Sequence, residues 1–216
     1  MKRVVGVFDS GIGGLSVAKA IERKLPDLTV LFRNDQKHVP YGSRPPQELK
    51  GYVVPILNKL VSDGASVIVI ACNTVTTTLI SELRKVISVP LIGIEPMVKP
   101  AVSLTKSGVI AVCATPTTLA SNRYAELKNT YAVNTTVLEP DCSDWSSMIE
   151  AKDVDKDKLN SSIDEVCRKG ADVIVLGCTH YHWIEQEIII ASANRAQVLQ
   201  PEEAIIERLQ NVLVDL

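Results

Sequence analysis

The sequence predicts an α/β protein made of two pseudo-symmetric βαβ-type domains with parallel sheets and an active site in the cleft between them. Three observations carry this: continuous apolar runs rich in β-branched residues, helical spacing between those runs, and one segment that occurs twice. "GASVIVIACNT" (64–74) and "GADVIVLGCTH" (170–180) share a strand-like body, and each ends on a cysteine followed by polar residues. Continuous runs, unlike alternating ones, suit strands covered on both faces, and such strands belong to parallel sheets.

Taken in chain order, the strand-like runs are "RVVGVF" (3–8), "LTVLF" (28–32), "SVIVIA" (66–71), "PLIGI" (90–94), "GVIAVCA" (108–114), "NTTVLE" (134–139), "DVIVLG" (172–177) and "AQVLQ" (196–200). Between them, residues 15–24, 46–62, 75–86, 156–168 and 202–213 place Leu, Ile, Val and Ala at helical intervals among charged residues. A second repeated pair keeps the offset that relates Cys72 to Cys178 to within one residue. "RVVGVFDSGIGGLS" starts at residue 3 and "GVIAVCATPTTLAS" at 108, each a strand running into small and hydroxyl residues. The proline-punctuated "GIEPMVKPA" (93–101) marks the crossing between halves, giving one unit of residues 1–96 plus 190–216 and a second of 97–189. Strands rich in Val and Ile resemble one another by composition, but composition does not explain the shared polar ending.

With 216 residues, 46% hydrophobic and 22% charged, the chain can bury a sizeable core without staples. A net charge of −2 gives no electrostatic reason for a nucleic-acid or membrane partner, so a small molecule is the expected partner. The apolar run after Lys2 and Arg3 breaks at Asp9, too short for a leader core or a membrane span, and the expected location is the cytoplasm. The five cysteines (72, 113, 142, 167 and 178) have no CxxC spacing and are expected as free thiols. Cys113 and Cys167 lie inside apolar patterns and read as small core residues.

Cys72 and Cys178 differ from these. Each falls where a strand stops and a helix opens, the position at which open α/β sheets bind ligands and unpaired N–H groups favour a thiolate. Two facing halves would put the two thiols across one cleft. A zinc site is poorly served by the Cys-Thr-His spacing at 178–180. Neither "CNTVTTTL" nor "CTHYHWIE" holds the arginine that a phosphatase loop needs. A redox pair would leave the symmetry unused. Two-base chemistry remains: one thiolate takes a proton from carbon and the opposite thiol returns one to the other face, as racemising an amino acid without a cofactor requires.

"VFDSGIGGLS" (7–16), "DQKHVPYG" (35–42), "ACNT" (71–74), "ATPTTLAS" (114–121) and "VLGCTHY" (175–181) together resemble the glutamate racemases of the aspartate/glutamate racemase superfamily, in family order over almost the whole chain. The resemblance implies a cofactor-independent, metal-free enzyme that interconverts L- and D-glutamate and supplies D-glutamate for peptidoglycan. It implies Cys72 and Cys178 as acid/base residues, Asp9 and His180 as their partners, and Glu150, from "CSDWSSMIE" (142–150), as a third ionisable group. Ser10, Tyr41, Gly42, Asn73, Thr74, Thr118 and Thr179 are the implied substrate-binding residues. Bland readings stand beside these: Asp9 as a helix cap, His180 as a core histidine, Glu150 as a solvated helix-end residue, Asp35 as a turn cap.

Three features depart from the family pattern. His182 stands where a proline is usual and Gln200 where an acidic residue is favoured, and the tail after Cys178 is short, so the last elements of the first domain are expected to be trimmed. Racemisation of aspartate or another acidic amino acid, or a ligand-binding protein with weak turnover, are the alternatives. The resemblance is compatible with a homodimer.

Overall fold

A computed structural model describing residues 2–216 pairs the apolar runs into two parallel sheets of four strands. The first holds β1 (Val4–Asp9), β2 (Thr29–Asn34), β3 (Val67–Ile70) and β4 (Leu91–Gly93), ordered β2-β1-β3-β4. The second holds β5 (Val109–Ala114), β6 (Thr136–Leu138), β7 (Val173–Gly177) and β8 (Gln197–Leu199), ordered β6-β5-β7-β8. The two orders are the same, strand for strand. The helices are α1 (Leu15–Lys24), α2 (Pro46–Ser62), α3 (Asn73–Val86), α4 (Val98–Leu104), α5 (Pro116–Leu119), α6 (Asn122–Tyr131), α7 (Trp145–Ala151), α8 (Lys156–Arg168), α9 (Glu185–Ser192) and α10 (Glu202–Val214), with a 3₁₀ turn at Thr179–Ile184.

Side-chain alternation explains why the runs are apolar throughout. Along β1 and β3, Val5, Val7, Val67 and Val69 face α1 and α10, packing with Val17, Ile21, Ile205 and Leu209. The intervening Phe8, Ile68 and Ile70 face α2 and α3, packing with Leu49, Val53, Leu57 and Leu83. In the second sheet Ile110, Val112, Val173 and Val175 pack against α4 and α6, while Ala111, Cys113, Ile174 and Leu176 pack against α7, α8 and α9. The inner strands β1, β3, β5 and β7 are therefore buried on both faces while the edge strands β2, β6 and β8 stay partly exposed, and each fully buried aliphatic side chain contributes about 1.5–3 kcal/mol.

The strand order also locates the site. After β1 the chain steps outward to β2, then returns past β1 to β3, so the connections diverge between β1 and β3; the same happens between β5 and β7. At such a switch point the loops leave in opposite directions and open a crevice beyond the carboxyl ends of the strands. Asp9 and Ser10 follow β1, Cys72 follows β3, Thr115 follows β5 and Cys178 follows β7.

One expected boundary needs correction. The sequence places residues 190–216 in the first unit, but β8 hydrogen-bonds to β7 in the second sheet. Only α10 returns, packing on α1 and β4. The short apolar run of β8 carries no sign of which sheet edge it joins; pairing with β7 decides it. Among the described residues, no helix is long and apolar enough to cross a membrane.

Candidate active site

Cys72 precedes α3 in extended conformation and opens that helix at the end of β3. Cys178 precedes the 3₁₀ turn, which closes through the Tyr181 N–H donating to the Cys178 carbonyl at 3.0 Å. Behind it, the fully buried Trp145 meets Tyr181 edge-on at 5.2 Å, and the Tyr181 hydroxyl donates to the Cys142 carbonyl at 2.9 Å. The two sulfurs line one pocket between the halves. Its void is about 10 Å³, the order of one water molecule.

Around Cys178 stands a chain of polar groups. Ser146 Oγ lies 3.6 Å from the sulfur and His180 Nδ1 3.7 Å. His180 Nε2 is 2.7 Å from Glu150 Oε1, which also accepts the Ile12 N–H at 3.0 Å, while Glu150 Oε2 accepts from Gln36 Nε2 at 2.8 Å. Burial works against a charged His180, yet its bonds to Cys178 and Glu150 and the charges of Cys178 and Asp9 push its pKa up to about 11. The His180 bond, helped by Gln36 and Ile12 against burial, brings Glu150 down to about 2. His180 is thus an imidazolium and Glu150 a carboxylate at neutral pH, and a negative charge on the Cys178 sulfur would meet a cation.

Cys72 has different surroundings. Its thiol donates to Ser10 Oγ at 3.5 Å. The sequence placed a dipole-favoured thiolate here; the structure corrects this, because burial first and the Asp9 charge second push the Cys72 pKa up to about 12, overcoming the Ser10 hydroxyl and the Val75 N–H. Asp9 lies behind the pocket wall. Its Oδ2 accepts the Gly11 and Gly14 N–H groups at 3.1 and 3.0 Å, and its Oδ1 accepts the Thr179 hydroxyl at 3.0 Å.

Of the expected residues, Ser10, Tyr41, Gly42, Cys72, Asn73, Thr74, Cys178, Thr179 and His180 line the pocket; Asp9, Glu150 and Thr118 do not. For Thr118 this is a correction: its N–H donates to Thr115 Oγ1, the cap of α5, which puts Thr115 in front and Thr118 behind. Glu150 reaches the pocket only through His180. Sequence reasoning missed Pro40, Thr115 and Ser146. Thr115 lay within the quoted "ATPTTLAS", whereas nothing in "DCSDWSS" distinguishes Ser146 from Ser143 or Ser147. Asp35 does more than cap a turn: it accepts the Tyr41 hydroxyl at 2.6 Å and faces His38 Nδ1 at 2.8 Å, so it fixes a pocket-lining ring.

A profile of the Asp/Glu/Hydantoin racemases matches residues 6–209. The chain belongs to that family. As a racemase it is an isomerase, and it is 37% identical to the glutamate racemase of Ralstonia nicotianae over 213 residues, 97% of this chain and 77% of the relative. The racemase also superposes on the solved Escherichia coli glutamate racemase in complex with L-glutamate and the activator UDP-MurNAc-ala. That match has a TM-score of 0.90 and 30% identity, covering 97% of this chain and 82% of the other. The Francisella tularensis glutamate racemase, solved with D-glutamate, matches with a TM-score of 0.83 at 27% identity over 99% and 82% of the two chains.

Proposed function

We propose that this racemase interconverts L- and D-glutamate by two-base proton transfer at Cα, with Cys72 and Cys178 as the two bases. The observation that carries the reading is the convergence of both sulfurs, each from the end of a different sheet, on one enclosed pocket lined by hydroxyl and amide groups. Similarity to glutamate racemases supports glutamate as the substrate. The N–H groups at the start of α3, with the Ser10, Thr74 and Thr179 side chains, are suited to hold the substrate's carboxylates and ammonium group.

In the resting arrangement Cys72 carries a proton and Cys178 faces the His180 cation, so Cys178 is the first base. It takes the Cα proton, and the electron pair of the C–H bond spreads into the adjacent carboxylate. N–H and O–H donors fixed around a dry pocket stabilise that added charge. Cys72 then protonates the other face, which leaves it as the thiolate and Cys178 as the thiol; the reverse direction starts from that state. A void of about 10 Å³ holds no amino acid, so the halves part to admit substrate and close around it. On this reading the enzyme is cytoplasmic, and its D-glutamate goes to peptidoglycan.

The test is incubation of the purified protein with L-glutamate in D₂O without added cofactor, following the Cα proton by NMR and inversion by circular dichroism. Exchange with inversion is expected, and aspartate should compete poorly. Absence of exchange with either enantiomer of glutamate overturns the proposal, and exchange with aspartate alone moves the substrate assignment to aspartate.

A further inference from the structure

We infer that Ser146 is a second hydroxyl of the reacting centre, donating to the Cys178 sulfur and holding it as the base, whereas Ser10 accepts from the Cys72 thiol. This rests on the two-thiol reading above. Each sulfur has one serine hydroxyl at nearly the same distance, 3.5 Å for Ser10 on Cys72 and 3.6 Å for Ser146 on Cys178. Both serines are buried, and both line the pocket.

The two donors are not related by the internal repeat. When "RVVGVFDSGIGGLS" is laid on "GVIAVCATPTTLAS", Ser10 falls on Thr115. The Thr115 hydroxyl, however, is 3.0 Å from Thr74 Oγ1 and donates to Thr118 Oγ1 at 3.0 Å, so it is turned away from Cys178. The place left open beside Cys178 is filled from α7. That helix is anchored by Trp145, the residue before Ser146, so the serine is held against the sulfur by a fixed backbone.

Ser146 has one other polar neighbour, the Tyr181 hydroxyl, whose own proton goes to the Cys142 carbonyl. That leaves the Tyr181 oxygen as a second acceptor for the Ser146 proton, and an ionised Cys178 sulfur is the stronger acceptor of the two. With His180 on another side, the thiolate receives two donors, and hydrogen bonds to an ionised acceptor are about twice as strong as neutral ones. Once the sulfur has taken the Cα proton, the hydroxyl rotates and accepts from the S–H, so Ser146 serves both states and forms no covalent bond. The titratable groups facing Cys178 are Cys72, Cys142, His180 and Tyr181, with Asp9 and Glu150 acting on His180. Ser146 does not titrate, so its removal changes how well the thiolate is held without adding or deleting an ionisation.

The experiment compares Ser146→Thr with Ser146→Val, which have similar volume and differ by the hydroxyl, alongside Ser146→Ala. Steady-state kcat and KM are measured from pH 6 to 10 in both directions, with thermal melts to verify folding. Wild-type enzyme is assayed first, since failure of Cα exchange there sinks the racemase reading and this inference with it, whereas the variants test this inference alone. The expected result is that Val and Ala lower kcat about ten-fold and move the acid limb of kcat/KM upward by about one pH unit, while Thr stays close to wild type. A common change in Thr and Val, or a rise in KM with an unmoved limb, reduces Ser146 to a packing residue and overturns the inference. Should Ala not fold, the Thr and Val pair decides the matter by the same limb.

Discussion

Cys72 and Cys178 are chemically the same residue in surroundings that are not alike. Cys72 is buried near the Asp9 carboxylate, and Cys178 lies beside an imidazolium backed by Glu150. Replacing either with alanine should lower the racemisation rate by a factor of about 10²–10⁴, the usual contribution of one acid or base, with unchanged far-UV circular dichroism; turnover near the wild-type rate in either variant ends the two-base proposal. The His180–Glu150 pair also leaves a trace in stability. His180 has a raised pKa, so its contribution is complete below its ordinary 6.5 and fades as pH climbs toward about 11. Glu150 has a lowered pKa, so its contribution is complete above its ordinary 4.5 and fades as pH falls toward about 2. The melting-temperature gap between wild type and His180→Gln should therefore be widest between pH 4.5 and 6.5 and narrow by pH 10, as thermal melts across that range would record.

At the scale of elements, the glycine turn after β1 sets how closely the halves meet. A Cβ on Gly13 would stand 2.6 Å from the His180 nitrogen and 2.7 Å from the Thr179 carbonyl carbon, both backbone atoms that cannot rotate away. Gly14 is constrained from the other side, since a Cβ there would be 2.4 Å from the Asp9 Cβ. Gly13→Ala should push the turn carrying Cys178 and His180 away from the first half, and kcat/KM should fall about 100-fold, the cost of roughly an ångström of misplacement. A variant with wild-type kinetics would mean that the turn yields without moving the sulfur. The close neighbour at Gly13 is the backbone of the protein's other half.

Across the whole molecule, the closed pocket is held by contacts that bridge the halves at some distance from the sulfurs. Ser16 Oγ meets His182 Nδ1 at 2.9 Å, the Trp183 indole donates to the Ile12 carbonyl at 3.3 Å, and Lys19 lies 5.7 Å from the Trp183 ring centre. His182, one of the departures from the family pattern, is therefore part of a bridge between the halves. Its half-buried ring is held down to about 4, first by desolvation and then by the His180 charge, so it bridges as a neutral imidazole. Gln200, the other departure, donates to Glu185 away from the pocket. A void of about 10 Å³ excludes iodoacetamide, so alkylation of Cys72 and Cys178 measures opening. Ser16→Ala should speed that alkylation, followed by mass spectrometry, and D-glutamate should slow it in both proteins; equal rates would place the restraint on opening elsewhere.

Local chemistry wrote much of this into the chain. Apolar runs covered on both faces specify parallel strands, so the two sheets, the repeat between halves and the strand ends that carry Cys72 and Cys178 were legible, as were most of the pocket-lining groups, because short motifs fold by local rules. Tertiary structure alone decided the rest. The edge that β8 joins depends on pairing with a strand distant in sequence. Thr115 stands in front of Thr118 because of a cap whose register a motif does not reveal. Cys72 keeps its proton because burial, a property of the assembled core, outweighs the helix terminus that sequence could see. Ser146 meets Cys178 only because Trp145 anchors α7, and no local pattern distinguishes one exposed-looking serine from the one that reaches a sulfur.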